Sequence, residues 1–243
     1  MPTMETFTPI ILAGGRGTRL QKAWPDRPKV LAPVGGRPFI CYLLDQLDAL
    51  GFQDAILCTG YKANCVQATL GKQYNNLALR YSREEKPLGT GGALLAALPH
   101  VATKHVLVLN GDSYTDANLE AYLQWYRQGA YRAALYLVWV AAAARYGSVA
   151  VEADSRISAF REKDLRDRSG WINAGLYVFD HALLATFAHQ GNVSLEKDLL
   201  PSLISAGLYG YPGRNRFIDI GTPESYAAAA GFFRDVQGKA DQP

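Results

Sequence analysis

Three strand-length runs, TPIILA (residues 8–13), DAILCTG (54–60) and HVLVLNGD (105–112), are apolar without the polar alternation of a half-solvated strand. A strand that reads apolar on both faces needs cover on both, and parallel sheets obtain that cover from their crossover helices. The stretches between these runs have helical period. RPFICYLLDQLDALG puts Phe39, Ile40, Leu43, Leu44, Leu47 and Leu50 on one face, with Gly51 placed to stop the helix. Tyr61 to Leu70 predicts a second helix, LALRYS a further strand and GGALLAAL a third helix. The expected class is therefore α/β, with a mixed, mostly parallel sheet flanked by helices.

From about Tyr131 the pattern shifts. AALYLVWV, GSVAVEAD, SRISAFRE and AGLYVFD are strand-like pieces with short polar turns, which predicts a smaller, more antiparallel region laid against the first sheet. A helix near SLEKDLLPSLISAG, strands near LYGYP and RFIDIG, and a helix from Pro223 capped by Thr222 follow, with GKADQP read as frayed. At 243 residues without repeat or linker, one domain of two halves is expected, about 8–130 and about 131–236.

Charge and cysteine usage exclude several classes. The net charge is +3 and no long run of like charge occurs, so no nucleic-acid partner is expected. Cys41, Cys58 and Cys65 are odd in number and form no C-x-x-C pair, which argues against a disulfide framework or zinc site and for a reducing cytoplasm. No window approaches roughly eighteen apolar residues, so no membrane span is expected. The four histidines are not paired at ligand spacing.

The first apolar run leads into LAGGRGTRL. In an open parallel sheet, ligands gather at the carboxyl ends of strands, and glycines let backbone N–H groups approach an anion closely. Arg16 and Arg19 add forked donors suited to phosphate. Neither of two well-known motifs fits: no lysine with Ser or Thr stands where a P-loop needs them, and Leu20 takes the third place of G-x-G-x-x-G. RPKVLAPVGGRPF follows and brings Lys29, a compact cation suited to clamping phosphate.

LAGGRGTRL with RPKVLAPV resembles the signature of sugar-1-phosphate nucleotidylyltransferases, which join a nucleoside triphosphate to a sugar 1-phosphate and release pyrophosphate. EEKPLGTGGAL, LVLNGDS, FREK, NAG, LEKDLLP and FIDIGTPESY follow in that family's order, so the resemblance spans nearly the whole chain. It implies the Rossmann-like nucleotide-diphospho-sugar transferase fold, with a nucleotide-binding first half and a sugar-phosphate-binding second half. It implies that Leu12, Ala13, Gly14, Gly15, Gly17, Thr18, Pro87, Gly89, Thr90, Gly91 and Gly111 bind the nucleotide. Arg19 and Lys29 match the residues that neutralise the triphosphate and the departing pyrophosphate. Asp112 and Asp219 match the carboxylate pair that holds Mg²⁺, a cation that takes one or two carboxylates with phosphate and water. Glu162, Lys163, Asn173, Gly175 and Glu196 match the sugar-phosphate pocket.

The implied chemistry is in-line attack of a sugar-phosphate oxygen on the α-phosphorus. A phosphate monoester loses its second proton near pH ~6, so no general base is required, in keeping with the histidine pattern. PDRPKVLAPVGGRPF, YSREEKPLGTGGA, SLEKDLLP and FIDIGTPESY most resemble the D-glycero-α-D-manno-heptose 1-phosphate guanylyltransferase branch, which implies GTP, a heptose 1-phosphate and bacterial surface glycans. Gln21 and Lys22 depart from the branch pattern, as does the alanine-rich WVAAAARYGSV. Rival readings are a uridylyl- or thymidylyltransferase acting on a hexose or amino-sugar phosphate, and a non-catalytic nucleotide-sugar binder. A glycosyltransferase would call for D-x-D, whereas NGDSYTD spaces Asp112 and Asp116 differently. A homo-oligomer is left open.

Overall fold

The computed structural model describes residues 4–20, 24–141, 143, 146, 148–161, 169–187 and 191–240. In chain order the strands of the first half are β1 (Phe7–Leu12), β2 (Pro33–Val34), β3 (Arg37–Pro38), β4 (Asp54–Thr59), β5 (Gln73–Tyr74), β6 (Leu77–Arg83), β7 (His105–Asn110) and β8 (Ser113–Thr115). Those of the second half are β9 (Ala133–Val140), β10 (Ser148–Val151), β11 (Ile157–Arg161), β12 (Gly170–Asp180), β13 (Tyr209–Gly213) and β14 (Phe217–Asp219). The helices are α1 (Ile40–Ala49), α2 (Ala63–Leu70), α3 (Gly89–Ala97), α4 (Leu119–Gln128), α5 (His181–Leu184), α6 (Leu200–Gly207) and α7 (Pro223–Ala240).

Eight strands form one sheet in the order β13-β9-β12-β7-β1-β4-β6-β5. The apolar runs of the first half are its parallel centre, since β1 pairs in parallel with both β4 and β7, and β4 with β6. Their two-sided apolarity has the expected cause. Ile11, Leu57 and Leu109 point to the face covered by α1, α4 and α7, while Ile10, Ile56 and Val108 point to the face covered by α3 and α6. Ile10 and Ile11 are both fully buried, and truncating either to Ala would cost about 2–5 kcal/mol.

The second half differs from expectation in one respect. AALYLVWV and AGLYVFD extend the main sheet as β9 and β12, antiparallel to each other and with β12 antiparallel to β7. Only GSVAVEAD and SRISAFRE form a separate antiparallel hairpin, β10 with β11. β9 is buried along nearly its whole length, and a place in the main sheet covers both its faces: Ala134, Tyr136 and Val138 join the core on one side, Ala133, Leu135 and Leu137 the core on the other. At the last helix, Thr222 Oγ1 accepts the Ser225 N–H at 3.3 Å, the predicted N-cap. Helix α7 continues to Ala240, so the start of GKADQP is helical and not frayed. Among the described residues no helix is long and apolar enough to cross a membrane.

Candidate active site

β1 and β7 end side by side, with Leu12 opposite Asn110, and their following loops leave the sheet at one edge. β4 flanks β1 on one side and β7 on the other, so the connections diverge there and open a crevice. The resulting cleft has a volume of about 570 Å³. Leu12, Gly14, Gly15 and Arg16 line it from the glycine loop, Pro87, Gly89 and Thr90 from the start of α3, and Lys29, Asp112 and Glu196 from elsewhere. The other residues expected at the nucleotide frame these walls. Ala13 is buried with its N–H on Cys58 O, Gly17 backs the stem of Lys29, and Thr18 is exposed beside them. Gly111 donates to Leu12 O, and Gly91 donates to Val193 O.

One end of the cleft is ionic. Lys29 lies in a single 3₁₀ turn behind Pro28 and is buried despite its charge. Its ammonium meets Asp112 Oδ2 at 2.6 Å. Burial pushes the Asp112 carboxyl up, but the Lys29 charge and the hydrogen bonds from Lys29 and Ser113 outweigh it and hold the group below its ordinary range. Asp112 and Asp219 are 107 positions apart in the sequence. Two three-residue strands bring them together: Ser113 of β8 stands opposite Asp219 of β14, and Ile220 N–H donates to Asp112 O at 2.9 Å.

Asp219 is buried and held from several sides. Its Oδ1 accepts from Gly221 N–H at 2.6 Å and from the Ser225 hydroxyl at 3.4 Å, and its Oδ2 accepts from the Tyr146 hydroxyl at 2.9 Å. Gly221 is the point of convergence. A Cβ there would lie 2.5 Å from Asp219 Oδ1, 3.5 Å from Lys29 Nζ and 3.6 Å from Arg19 Nη2. All four residues expected to be catalytic thus gather, three around Gly221 and Asp112 on Lys29. Two adjacent carboxylates, one already paired with a cation, are a hard-oxygen donor set that suits Mg²⁺. Phosphate and water would complete its shell.

A hydrogen-bond network adjoins this ionic group, joined to it through Asn110, two positions before Asp112. Glu196 sits in a π-helical turn, Leu195–Leu199, capped by Ser194. Its Oε2 accepts from Thr90 Oγ1 at 2.8 Å and Ser194 Oγ at 3.3 Å, and its Oε1 from Asn110 Nδ2 at 3.3 Å and Tyr177 OH at 3.4 Å. Tyr177 OH in turn accepts from Asn173 Nδ2 at 2.9 Å. Burial drives the Tyr177 pKa far up, so the phenol keeps its proton and remains a donor. Gly175 lies in the β12 irregularity against Asn110. Asn173, Gly175 and Glu196 are therefore brought together, whereas Glu162 and Lys163 lie outside the described residues, as do Gln21 and Lys22.

Some site residues were missed by sequence reasoning. Glu84 and Glu85 both line the cleft, and Glu84 Oε2 accepts Leu88 N–H at 2.9 Å while its other oxygen lies against Gly14 and Gly60. A signal existed: Gly14, Gly60 and Glu84 each follow one of three strands that turn out to be neighbours. Asn110 stood within LVLNGDS, and Tyr146 within the alanine-rich departure. Gly89 has a role beyond admitting a ligand. Its φ is +73° and the space of a side chain is filled by Asn192 and the Val193 carbonyl, so segment 191–195 docks on the start of α3. Val193 O accepts from both Gly91 N–H at 2.8 Å and Gly92 N–H at 3.1 Å, so this carbonyl caps the helix start.

Sequence and fold both match known proteins. The model of the nucleotidyl transferase family matches residues 8–235. The D-glycero-α-D-manno-heptose 1-phosphate guanylyltransferase of Aneurinibacillus thermoaerophilus is 34% identical over 90% of this chain and 95% of its own length. A mannose-1-phosphate guanylyltransferase of Mycobacterium tuberculosis is 33% identical over 96% of the chain, which spans 63% of that protein's length. The crystal structure of HddC from Yersinia pseudotuberculosis complexed with GMP-PN superimposes with a TM-score of 0.84 at 31% identity, over 93% of this chain and 99% of that one. Matched along nearly its full length by sequence and by fold, the chain belongs to the nucleotidyl transferase family.

Proposed function

We propose that this chain transfers GMP from GTP to D-glycero-α-D-manno-heptose 1-phosphate, releasing pyrophosphate and giving a GDP-heptose. The observation that carries the reading is the meeting of Arg19, Lys29 and Asp219 around Gly221, with Asp112 on Lys29, at the end of a cleft that reaches Glu196. Two anions repel each other, so the enzyme must supply cations and fixed placement. Lys29 and Arg19 would neutralise the triphosphate and the leaving pyrophosphate, with Arg16 at the cleft wall beside them. Asp112 and Asp219 would hold Mg²⁺, which supplies Lewis-acid charge at the phosphates when bound. The attacking phosphate oxygen is already anionic above pH ~6, so no protein base is assigned.

Glu84 supports guanine. Beside the Leu88 N–H its Oε2 has a second lone pair, and an acceptor there complements the adjacent N1–H and N2–H₂ donors of that base. Uracil and thymine offer one N–H between two carbonyls that a carboxylate repels. The heptose rests on the Aneurinibacillus relative, and mannose 1-phosphate is the second reading because of the Mycobacterium one. Asn173, Gly175 and Glu196 would receive the sugar. Free Cys41, Cys58 and Cys65 support a reducing cytoplasm.

A pyrophosphate-release screen of all nucleoside triphosphates against heptose, mannose, glucose and N-acetylhexosamine 1-phosphates tests the reading. GTP with the heptose phosphate should lead, followed by GTP with mannose 1-phosphate. A clear preference for UTP or dTTP would overturn the base assignment, and no release with any pair would favour a non-catalytic binder.

A further inference from the structure

The alanine-rich connection between β9 and β10 is a departure that the substrate reading leaves unused, yet it reaches the ionic end of the cleft. Tyr146 donates its hydroxyl to Asp219 Oδ2 at 2.9 Å. Its ring meets Phe217, two positions before Asp219 on β14, edge to face at 5.5 Å between centroids. Its own N–H is bonded to Ala143 O at 2.9 Å, which ties the tyrosine into the turn that carries it. We propose that Tyr146 is a positioning residue for the Asp219 carboxylate, setting the orientation in which that group receives a divalent cation.

The division of labour at Asp219 supports this. Gly221 N–H and the Ser225 hydroxyl hold Oδ1 from the chain that follows the aspartate, so that oxygen is fixed by local structure. Tyr146 reaches Oδ2 from a connection 73 positions away. A carboxylate oxygen can accept from a phenol and face a cation at the same time. Partners that orient a ligating carboxylate typically contribute about 10–100-fold in metal affinity or activity.

The inference rests on the Mg²⁺ assignment, and the experiment separates the two. Mn²⁺ is titrated into enzyme saturated with GTP, without sugar phosphate, and followed by water-proton relaxation. The proteins compared are wild type, Tyr146→Phe, Asp219→Asn and the double variant. Phenylalanine keeps the ring on Phe217, so thermal melting should match wild type. Tyr146→Phe should weaken Mn²⁺ binding by about tenfold and raise the Mg²⁺ needed for half-maximal turnover in step, with excess Mg²⁺ restoring the rate. In the Asp219→Asn background the same change should have no further effect on Mn²⁺. If Asp219→Asn weakens Mn²⁺ binding and Tyr146→Phe does not, the positioning role is refuted. If Asp219→Asn itself leaves Mn²⁺ affinity unchanged, the metal assignment fails instead.

Discussion

The ionic and the hydrogen-bonded parts of the cleft, though neighbours, are built on opposite principles. At one, Lys29, Arg19, Asp112 and Asp219 set full charges within reach of one another, and a small backbone at Gly221 makes room for them. At the other, Glu196 is the charged centre of a network otherwise neutral, with its two oxygens shared among Thr90, Ser194, Asn110 and Tyr177. Full charges set close together suit chemistry on phosphates, where the load changes during reaction. Saturated hydrogen bonds suit recognition, because a wrong substrate leaves a buried group unpaired. The difference predicts that damage at the ionic end lowers turnover, while damage at the network end raises the sugar-phosphate KM.

The largest effect is expected from Asp112→Asn, which removes a proposed cation ligand and the Lys29 pair together. Its kcat should fall about 10³-fold with GTP binding nearly kept, measured by pyrophosphate release and calorimetry. Lys29→Ala should cost about 10²-fold in kcat/KM, and the same loss appearing only in the sugar-phosphate KM would blur the two ends. Glu196→Gln keeps the shape but replaces one acceptor oxygen by a donor nitrogen, so two of the four acceptances are lost. The sugar-phosphate KM should rise about tenfold with kcat little changed, and a pure kcat loss would assign Glu196 to the chemistry instead.

The smallest effect concerns acid stability. The folded Asp112 pKa is depressed, so its contribution is present above its ordinary value of 3.8 and lost as the pH falls through the folded value. Melting curves of wild type and Asp112→Asn should therefore differ above about pH 4 and converge below it. Divergence that grows on acidification would contradict the sign of the shift.

How much of this could be read in advance also differs between the ends. The glycine loop, Lys29 and Asp112 belong to short segments whose pattern is local, and β1, β4 and β7 announce themselves by apolarity. The meeting of Asp112 with Asp219 depends on β8 and β14, strands of three residues each, too short to show a period. Their register is a long-range fact. The same holds for Glu196, whose contact with Thr90 joins residues 106 positions apart. Joining β9 and β12 to the main sheet was likewise hidden, because alternation predicts strands and not their neighbours. Tyr146 and Asn110 lay in plain view, but nothing local says which carboxylate a tyrosine or an asparagine will face.

In the proposed reaction Asp112 and Asp219 jointly receive the cation. The most direct measurement is anomalous diffraction from Mn²⁺ in crystals grown with GTP. One peak is expected within direct ligand distance of both carboxylates and of the triphosphate. A peak held by the triphosphate alone, with neither aspartate in its shell, would contradict it.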